Sequence, residues 1–360
     1  MYNIIGIMSG SSLDGLDIAY CTFTPTNEGW NYDILFAECV PYPSEWQRRL
    51  RQAPRLSGRN LWQLHIDYGH YLGKTVQIFI EKYQLQQELL LIASHGHTIF
   101  HEPSQKMTCQ IGDGAAIAFH TQTMTICDFR SSDLAAGGQG APMVPILDRW
   151  LFKNHLFCLN IGGIANISAK TNNSMIGFDV CYANQVLNRL AQQLKAKYDK
   201  DGMLARHGQV IPALLDDLSR LPFLAQDYPK SLNNQGVVTD IMPLLQHHSQ
   251  NPFDLLRTFT EHIAQEVKRS IDKIYSTEQL PQQATDSLLV TGGGAFNVYL
   301  IDRIRYNIDI PIIVPNKRTI EFKEALLMAF AGLLRHQQQS NFYREVTGSE
   351  RNVVGGAVYL

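Results

Sequence analysis

A strand–glycine turn–strand unit occurs twice in this chain of 360 residues, and this repetition restricts the fold more than any other feature. The first copy joins an apolar run at 4–8 to an alternating strand at 18–23, through a turn rich in Gly, Ser and Asp. The second copy joins strands at 157–160 and 165–168 through the sequence Ile-Gly-Gly-Ile. Each copy predicts a β-hairpin, and their separation along the chain predicts two related halves.

Helical and strand patterns alternate along the rest of the chain. The spacing of apolar residues predicts helices at 61–83, 184–197, 253–275 and 322–336. Short apolar runs predict strands at 89–93, 124–127, 175–179 and 287–290. This alternation is typical of the α/β class. A glycine-rich stretch at 137–142 indicates that the chain crosses there from one domain to the other. We therefore predict domains at 1–135 and 136–360, and the last ~15 residues are a candidate segment that crosses back to the first domain.

Charge and composition argue against several classes of partner. The formal net charge of −2 gives no electrostatic reason to expect a nucleic acid or an anionic membrane. No apolar run approaches the ~20 residues needed to span a bilayer. The first residues lack the basic region of a signal peptide, and the six cysteines show no C-x-x-C spacing, as expected for reduced thiols. We predict a cytoplasmic protein without a nucleic-acid or membrane partner.

The turn of the first hairpin has the spacing Gly10-x₄-Gly15, but it is not a P-loop. Leu16 and Asp17 follow instead of Lys and Ser/Thr, and the next element is a strand rather than a helix. The turn still offers backbone amides, hydroxyls and carboxylates, which suit a phosphate and a Mg²⁺ ion bound directly or through water. An ordinary hairpin loop is the alternative. The candidate nucleotide contacts are Ser9, Gly10, Ser11, Ser12, Asp14, Gly15 and Asp17, with Asp14 and Asp17 as the Mg²⁺ ligands.

Glycine turns in the second half offer similar backbone chemistry without the acids. The candidates are Asn160, Gly162 and Gly163 of the second hairpin, and Gly292, Gly293 and Gly294 after the strand at 287–290. Three consecutive glycines would let a ribose or a flat base lie against bare backbone. They do not form G-x-G-x-x-G, because Asn297 occupies the sixth position, so a dinucleotide is disfavoured. The two hairpins together predict a nucleotide held between two domains.

Three further groups of polar residues have more than one interpretation. Asp179 ends a predicted strand, where it is either a helix N-cap or a catalytic carboxylate. Arg130 and Asp133 follow another strand and either orient a substrate carboxylate or form a surface ion pair. The histidines are a weak metal candidate and more often hydrogen-bond to a ligand, since no other ligand pattern accompanies them. They are His95, His97 and His101.

Taken together, these motifs resemble those of the anhydro-N-acetylmuramic acid kinase family. The matching stretches keep the family order from end to end: 6–17, 94–98, 110–113, 128–130, 133–142, 160–168, 177–179, 198–202, 292–295, 324–325 and 346–348. The block Asp-Leu-Ala-Ala-Gly-Gly-Gln-Gly-Ala-Pro at 133–142 is the most specific. The resemblance implies a two-domain actin/hexokinase/Hsp70-like (ribonuclease H-like) fold with an interdomain nucleotide cleft.

The resemblance also implies a reaction and its residues. Water opens the ring of 1,6-anhydro-N-acetylmuramic acid at C1, and the freed O6 takes the γ-phosphoryl group of ATP, giving N-acetylmuramic acid 6-phosphate and ADP during peptidoglycan recycling. Asp179 would be the general base and Glu324 would help to place the water and the sugar. The sugar site would be lined by His97, Thr98, Arg130 and Asp133. ATP and Mg²⁺ are the implied cofactors, and a homodimer is left open.

The chain departs from the family pattern near the expected substrate. After Gly-Phe-Asp the family usually reads Thr-Gly-Pro-Gly-Asn, whereas here 180–184 read Val-Cys-Tyr-Ala-Asn. The usual Thr-Gly-Arg-Glu after Pro-Lys-Ser is Leu-Asn-Asn-Gln at 232–235, and the usual Gln of Ser-His-Gly-Gln-Thr is His97. The first phosphate hairpin and the triple glycine are intact, so nucleotide binding is a firmer prediction than the identity of the sugar.

Three other functions are compatible with parts of this pattern. The first is a kinase of the same fold that acts on another sugar. The second is an Hsp70-like or actin-like nucleotide-dependent binding protein, disfavoured because no peptide-binding domain follows. The third is a Ser/His/Asp hydrolase using Ser9 or Ser11 with His95, disfavoured because no G-x-S-x-G surrounds either serine.

Overall fold

The computed structural model describes residues 1–10, 12–27, 29–171, 175–233 and 235–360. Its strands are β1 (Tyr2–Ser9), β2 (Gly15–Thr26), β3 (Gly29–Pro41), β4 (Leu91–Glu102), β5 (Met107–Ile111), β6 (Thr125–Cys127), β7 (Phe157–Ile161), β8 (Ile164–Lys170), β9 (Met175–Tyr182), β10 (Leu288–Thr291), β11 (Ile312–Ile313) and β12 (Ala357–Tyr359). Its helices are α1 (Ser44–Gln52), α2 (Gly58–Tyr83), α3 (Gly114–Thr121), α4 (Ser131–Ala135), α5 (Pro145–Trp150), α6 (Asn184–Gln193), α7 (Met203–Arg206), α8 (Pro212–Ser219), α9 (Met242–His248), α10 (Pro252–Thr277), α11 (Val298–Asn307), α12 (Lys317–Glu321), α13 (Lys323–His336) and α14 (Arg344–Thr347). Single 3₁₀ turns include Gly293–Phe296, and Val237–Ile241 is π-helical.

The chain forms two compact units. The first unit contains Met1–Leu151 and Phe322–Leu360, and the second contains Phe152–Glu321. The second unit is therefore inserted into the sequence of the first. This division differs from the predicted boundary at 135/136, and the chain returns to the first unit at Phe322 rather than only in its last ~15 residues.

The sequence suggested that the glycine-rich stretch at 137–142 carries the chain from one unit to the other, but the structure shows that it does not. It lies within the first unit and folds back on α4, because the Gly138 N–H donates to the Asp133 carbonyl at 2.8 Å. Gly137 and Gly140 have φ values of +82° and +65°, which allow this sharp reversal. The glycines therefore build a local turn.

The sheets of the two units share a strand order. It is β3-β2-β1-β4-β6-β12 in the first unit, with β5 paired to β4, and β9-β8-β7-β10-β11 in the second. In each sheet three antiparallel strands are followed by two parallel neighbours, β4 and β6 or β10 and β11. This confirms the α/β class and both predicted hairpins, and it agrees with two related halves.

Helices cover both faces of the first sheet. Tyr68 and Leu72 of α2 pack against Ile5 and Ile7 of β1 in one buried core. On the opposite face α13 lies directly on the backbone of β1. A Cβ atom added to Gly6 would lie 1.8 Å from the carbonyl oxygen of Ala325, so this contact requires glycine. The close approach fixes the N-terminal turn of α13 beside β1.

The core of the second unit forms around α10. Phe259, Ile263 and Val267 of this helix are fully buried together with Leu159 and Ile161 of β7. The apolar stripe read from the sequence at 253–275 is therefore the core-facing side of α10, as predicted. None of the helices in the described ranges combines the length and apolar character needed to cross a membrane.

Two strands extend beyond their predicted ends, and both extensions affect the candidate site. The strand predicted at 89–93 continues as β4 to Glu102, so the histidines at 95, 97 and 101 lie in a strand rather than in a loop. The strand predicted to end at Asp179 continues to Tyr182. Polar residues hid the extension of β4, because period-based prediction follows apolar side chains. The extension of β9 is itself buried and apolar (Val180, Cys181 and Tyr182), and it was missed because the strand was taken to end at the charged Asp179.

Candidate functional site

The turn of the first hairpin exposes part of its predicted phosphate-binding chemistry. Ser12 and Asp14 are exposed and Gly10 is half-buried, whereas Ser11 lies outside the described residues. The Leu13 N–H donates to the Gly10 carbonyl at 3.3 Å, and Leu13 takes a left-handed φ of +58° while its side chain is buried. The buried leucine anchors the turn, so the hydroxyl of Ser12 and the carboxylate of Asp14 remain at the surface.

Gly15 has a structural role at the start of β2. A Cβ atom on this residue would lie 2.6 Å from the Val40 carbonyl oxygen of β3. Gly15 is itself buried, so it permits close strand pairing and offers little surface to a ligand. A nucleotide contact at Gly15 stays a prediction, and the observed role of this glycine is to permit the close approach to β3.

Ser9, which is predicted to contact the nucleotide, lies inside the first unit. Its side chain is buried, and its Oγ accepts a hydrogen bond from the Tyr42 hydroxyl at 2.8 Å and lies 2.9 Å from His97 Nδ1. The hydroxyl is therefore already engaged inside the first unit. Sequence reasoning missed Tyr42, because no motif marks a tyrosine at the end of an edge strand.

A β-bulge places His95 and His97 in different surroundings. Ile7 of β1 pairs with Ser94 and Ser9 pairs with His97, so β4 has one residue more than β1 between these pairs. The extra residue is accommodated at Gly96, whose φ is +71° and whose Cβ would lie 2.4 Å from the Ile111 carbonyl oxygen. The regular alternation of side chains along β4 is thereby interrupted between the two histidines.

His95 fixes Arg130. Nε2 of His95 accepts from Nε of Arg130 at 3.1 Å and lies 2.9 Å from Nη2, while Nη1 donates to the Gly140 carbonyl at 2.7 Å. Burial lowers the pKa of His95 to about 3, and the charge of Arg130 acts in the same direction. His95 is therefore neutral, and it orients the guanidinium without adding charge.

Asp133 is a buried support for this arrangement. Its side chain is 0 % exposed; Oδ2 accepts from the Gly140 N–H at 2.7 Å and Oδ1 from the Thr347 hydroxyl at 2.8 Å. A residue so enclosed has no free surface for a sugar. Asp133 fixes Gly140, whose carbonyl in turn accepts from Arg130.

Thr98 is the most exposed of the predicted sugar-lining residues on β4. Its hydroxyl accepts a hydrogen bond from Gln110 Nε2 at 3.3 Å across the β4–β5 pair. His97, by contrast, is 6 % exposed. The predicted sugar residues on this strand thus differ in accessibility, with Thr98 at the surface.

Glu324 belongs to the same electrostatic cluster as Arg130. It lies in the first turn of α13 and its side chain is exposed, yet its pKa is raised, first because surrounding protein displaces water and then because of the charge of Asp17. Lys323 and Arg130 oppose this rise. The first unit therefore brings together an arginine and two carboxylates that are far apart in sequence.

The turn of the second hairpin consists of backbone alone. The Gly162 carbonyl accepts from the N–H of Asn184, and the Gly163 carbonyl accepts from those of Ala183 and Gln185 at the start of α6. The Gly162 N–H donates to the Ile164 carbonyl at 3.2 Å. Within the described chain, the Gly163 N–H is the turn amide that lacks an acceptor, so it is free to donate to an anion.

The three consecutive glycines have three different environments. Gly292 has a φ of +80°, and its Cβ would lie 2.7 Å from the Ile161 carbonyl oxygen; a Cβ on Gly294 would lie 2.2 Å from the Ile161 side chain. Gly293 is exposed, and the nearest atom to its Cβ position is Asn184 Nδ2 at 3.7 Å. Only Gly293 of the three presents open backbone to a ligand, while the other two permit tight packing on β7. Asn160 lies beside this turn, with its Oδ1 2.9 Å from the Cβ position of Gly292.

Asp179 is not a helix N-cap. It lies within β9, and Ala183 occupies the N-cap position of α6. Its Oδ2 accepts from the Leu232 N–H at 2.8 Å, and its own N–H donates to the Lys230 carbonyl at 3.1 Å. Burial raises the pKa of the half-buried carboxyl, and the bond from Leu232 opposes that rise. The backbone alone holds the carboxylate, so the identity of the side chain at 232 does not decide its position.

The two segments that depart from the family pattern are in contact. The Tyr182 hydroxyl donates to the Asn233 carbonyl at 2.8 Å, and the Gly236 N–H donates to Asn233 Oδ1 at 3.0 Å. A Cβ atom on Gly236 would lie 2.1 Å from the Tyr182 hydroxyl oxygen, so the tyrosine requires a glycine there. Asn234 lies outside the described residues. The departures at 180–183 and 232–235 are therefore two sides of one contact beside Asp179.

No group of three or more His, Cys, Asp and Glu side chains in the described ranges converges to hold a metal ion. The histidines of β4 thus do not form a metal centre there. Asp14 and Asp17 remain the candidate Mg²⁺ ligands. Two carboxylates fit this ion, because Mg²⁺ in nucleotide sites binds through one or two carboxylates together with phosphate oxygens.

Comparison with known proteins adds a family to this geometry. A family model described as anhydro-N-acetylmuramic acid kinase matches residues 2–360. Proteins named anhydro-N-acetylmuramic acid kinase from Francisella tularensis subsp. novicida and Bacillus thuringiensis subsp. konkukian are 32% and 31% identical, over 98% and 99% of this chain and 97% and 98% of theirs. Among solved structures, the ADPNP-bound activator of 2-hydroxyisocaproyl-CoA dehydratase from Clostridium difficile aligns with a TM-score of 0.42 at 12% identity, covering 93% of this chain and 97% of that chain. That likeness is too distant to carry a functional argument.

Proposed function

Because this chain belongs to the anhydro-N-acetylmuramic acid kinase family, we propose that it is an ATP-dependent kinase acting on 1,6-anhydro-N-acetylmuramic acid. Water adds at C1, the C1–O6 bond breaks, and O6 receives the γ-phosphoryl group of ATP. The products are N-acetylmuramic acid 6-phosphate and ADP. The structural observation that carries the proposal is Asp179, a half-buried carboxylate with a raised pKa that is held by backbone hydrogen bonds.

Asp179 is the proposed general base. A carboxylate with a raised pKa accepts a proton more readily than an ordinary one, which suits the activation of water. The hydrogen bond from Leu232 occupies Oδ2 and leaves Oδ1 to take the proton. Glu324, whose pKa is also raised, is proposed to help place the water and the sugar.

Arg130 is the proposed partner of the lactyl carboxylate of the sugar. Guanidinium has five N–H donors, and His95 and Gly140 use three of them through Nε, Nη2 and Nη1. One N–H on each terminal nitrogen remains without a partner in the described chain. Two such groups suit a bidentate carboxylate, which is the recognition that arginine favours over lysine.

Nucleotide contacts are proposed separately for each unit. In the first unit, the turn at 10–14 would bind phosphate oxygens, and Asp14 and Asp17 would hold Mg²⁺, which neutralises phosphate charge during transfer. In the second unit, the Gly163 N–H would donate to a phosphate oxygen and Gly293 would lie against the adenosine. These assignments agree with the exposed groups found in each turn.

A kinase of the same fold for another sugar is the second candidate. The observation that favours it is the contact between Tyr182 and Asn233, since both residues depart from the family pattern beside Asp179. A phosphorylated product from a different amino sugar, with no product from the anhydro sugar, would choose this alternative.

Mass spectrometry of the products tests the proposal. Purified protein is incubated with ATP, Mg²⁺ and either 1,6-anhydro-N-acetylmuramic acid or N-acetylmuramic acid. We expect the anhydro sugar to gain the masses of one water and one phosphoryl group, with one ADP formed per sugar. Phosphorylation of N-acetylmuramic acid alone would contradict ring opening, and ADP formation without any phosphorylated sugar would contradict the kinase.

A further inference from the structure

A chain of side-chain hydroxyls runs beneath the first hairpin turn and ends at His97. The Tyr68 and Tyr42 hydroxyl oxygens are 2.5 Å apart, the Tyr42 hydroxyl donates to Ser9 Oγ at 2.8 Å, and Ser9 Oγ lies 2.9 Å from His97 Nδ1. Tyr68 is 0 % exposed, Tyr42 3 % and Ser9 4 %. These groups are shielded from water, so the protein itself must satisfy their hydrogen bonds.

The direction of the chain follows from the number of hydrogens. Tyr42 gives its single hydroxyl hydrogen to Ser9, so the hydrogen between the tyrosines must come from Tyr68. Ser9 then has one hydrogen of its own, and in the described chain His97 Nδ1 is the acceptor that it reaches. In this arrangement the hydroxyl hydrogens of Tyr68, Tyr42 and Ser9 each have an acceptor.

The consequence for His97 is a defined tautomer. If Nδ1 accepts from Ser9, the hydrogen of a neutral imidazole resides on Nε2. Burial lowers the pKa of His97, although a contact with the Ser9 backbone opposes this effect, so the neutral ring is favoured. The hydrogen bond of the ring is made at Nδ1, and His97 keeps 6 % of its surface exposed, so Nε2 is the nitrogen left for a ligand.

We infer that Tyr68, Tyr42 and Ser9 together fix His97 as a neutral ring that presents its Nε2–H to an oxygen atom of the sugar substrate. Tyr42 is thereby a positioning residue for the proposed reaction, and the inference depends on the proposed function for the identity of the ligand. At the position where the family usually has glutamine, whose amide offers both a donor and an acceptor, this chain offers a donor only.

The neighbouring histidine shows that the tautomer is set locally. His95 Nε2 accepts from Arg130, while its Nδ1 lies 3.1 Å from the Gly96 carbonyl oxygen and must donate to it. His95 therefore carries its hydrogen on Nδ1 and His97 carries it on Nε2, although only the bulged Gly96 separates them. The surrounding groups and not the strand select each tautomer.

Nitrogen-15 NMR of the imidazole rings tests the tautomer without any ligand. In the wild-type protein at pH 7 we expect an unprotonated Nδ1 and a protonated Nε2 for His97, and the reverse for His95. In the double variant Tyr42→Phe/Tyr68→Phe, the oxygen of Ser9 loses both neighbouring phenol donors and becomes free to accept from His97, so the His97 signals should shift toward a mixture of tautomers. Tyr71→Phe is the matched control, since Tyr71 packs 6.0 Å from the Tyr42 ring but lies outside the chain of hydroxyls.

A double-mutant cycle tests the role in sugar binding. Tyr42→Phe should raise the sugar KM roughly tenfold with a smaller change in kcat, the loss expected for one well-placed hydrogen bond. Glutamine donates whatever its neighbours do, so in a His97→Gln background the same change should alter KM by less than about twofold. A purely structural role for Tyr42 would give equal losses in both backgrounds and overturn the inference.

The two proposals can fail separately. A wild-type protein that phosphorylates no anhydro sugar would refute the proposed function, while the NMR measurement would still decide the tautomer. An Nδ1–H or doubly protonated His97 at pH 7 overturns the inference even if the sugar is turned over normally.

Discussion

The hairpin turns of the two units hold equivalent places in their sheets but expose different chemistry. The turn after β1 exposes the side chains of Ser12 and Asp14 and is anchored by the buried Leu13. The turn after β7 consists of Gly162 and Gly163, whose carbonyls are taken by the first amides of α6. One topology thus supports a turn that acts through side chains and a turn that acts through the backbone.

This difference extends to the position of the carboxylates. In the first unit the acids lie in the hairpin itself, at 14 and 17. In the second unit the candidate carboxylate, Asp179, lies on the third strand of the antiparallel set, where the neighbouring segment at 230–232 holds it. Duplicated folds can therefore diverge by moving a charged group from one strand to the next while the strand order is kept.

The largest expected effect is that of Asp179→Asn. Asparagine keeps the shape and can still accept from the Leu232 N–H, but it does not take a proton at neutral pH. We expect turnover to fall by a factor of roughly 10² or more, with nearly normal Mg-ATP affinity. Steady-state kinetics and calorimetry measure the two quantities. Full activity in this variant would remove the catalytic role from the second unit.

Asp14→Ala tests the side-chain chemistry of the first turn. The side chain is exposed, so its removal should leave the melting temperature unchanged. Loss of a carboxylate that binds Mg²⁺ should weaken Mg-ATP binding roughly tenfold or more in calorimetry. Glu102→Ala removes a carboxylate at the far end of β4 and serves as the control. Equal affinity in both variants would show that the first turn does not act through Asp14.

Substitutions at Gly293 and Gly294 separate backbone exposure from packing. Gly293→Val fills open space beside the proposed adenosine site and should weaken ATP binding while the protein stays stable. Gly294→Ala forces a Cβ into Ile161 and should destabilise the second unit by about 1–3 kcal/mol. Thermal unfolding with and without ATP distinguishes the two. A stable Gly294→Ala variant with poor ATP binding would reverse this assignment.

The smallest effect is the pH dependence of stability at Asp179. Because its pKa is raised in the folded state, the protonated form is favoured by folding. This contribution is complete below the unfolded pKa and is lost as pH rises through the folded pKa. At pH 7 the ionised Asp179 therefore lowers the stability of the folded protein. The Asp179→Asn variant should melt about 1–3 °C higher than wild type. The difference should shrink as the pH falls toward 4. A difference independent of pH would contradict the burial effect.

The sequence predicted the long helices of the molecule better than its edge strand and the ends of its strands. The helices at 61–83, 253–275 and 322–336 have long apolar stripes, and all three are present, as α2, α10 and α13. Strand β3 was missed because it is an edge strand with few buried positions, which leaves no clear alternation to detect. The continuation of β4 was missed because histidines replace apolar residues there.

Motifs predicted the residues of the candidate site, but the hydrogen bonds that these residues make depend on side chains far away in the sequence. Nothing in the sequence shows that Asp133 is enclosed by Gly140 and Thr347, because Thr347 is more than two hundred positions away. Similarly, the spacing His-Gly-His suggests two side chains on one face, whereas the bulge at Gly96 separates their partners. Long-range pairing decides these roles, and pairing cannot be read from local patterns.

The insertion of the second unit into the first has a consequence for the synthesis of this protein. Strand β1 leaves the ribosome early, but α13, which covers one face of its sheet, and β12, which pairs with β6, are made last. Until then, the groups that meet α13, such as the ring of Phe23 that packs 5.3 Å from Phe330, have no cover. The second unit is contiguous and can close while the nascent chain is still growing, whereas the half that is translated first is completed last.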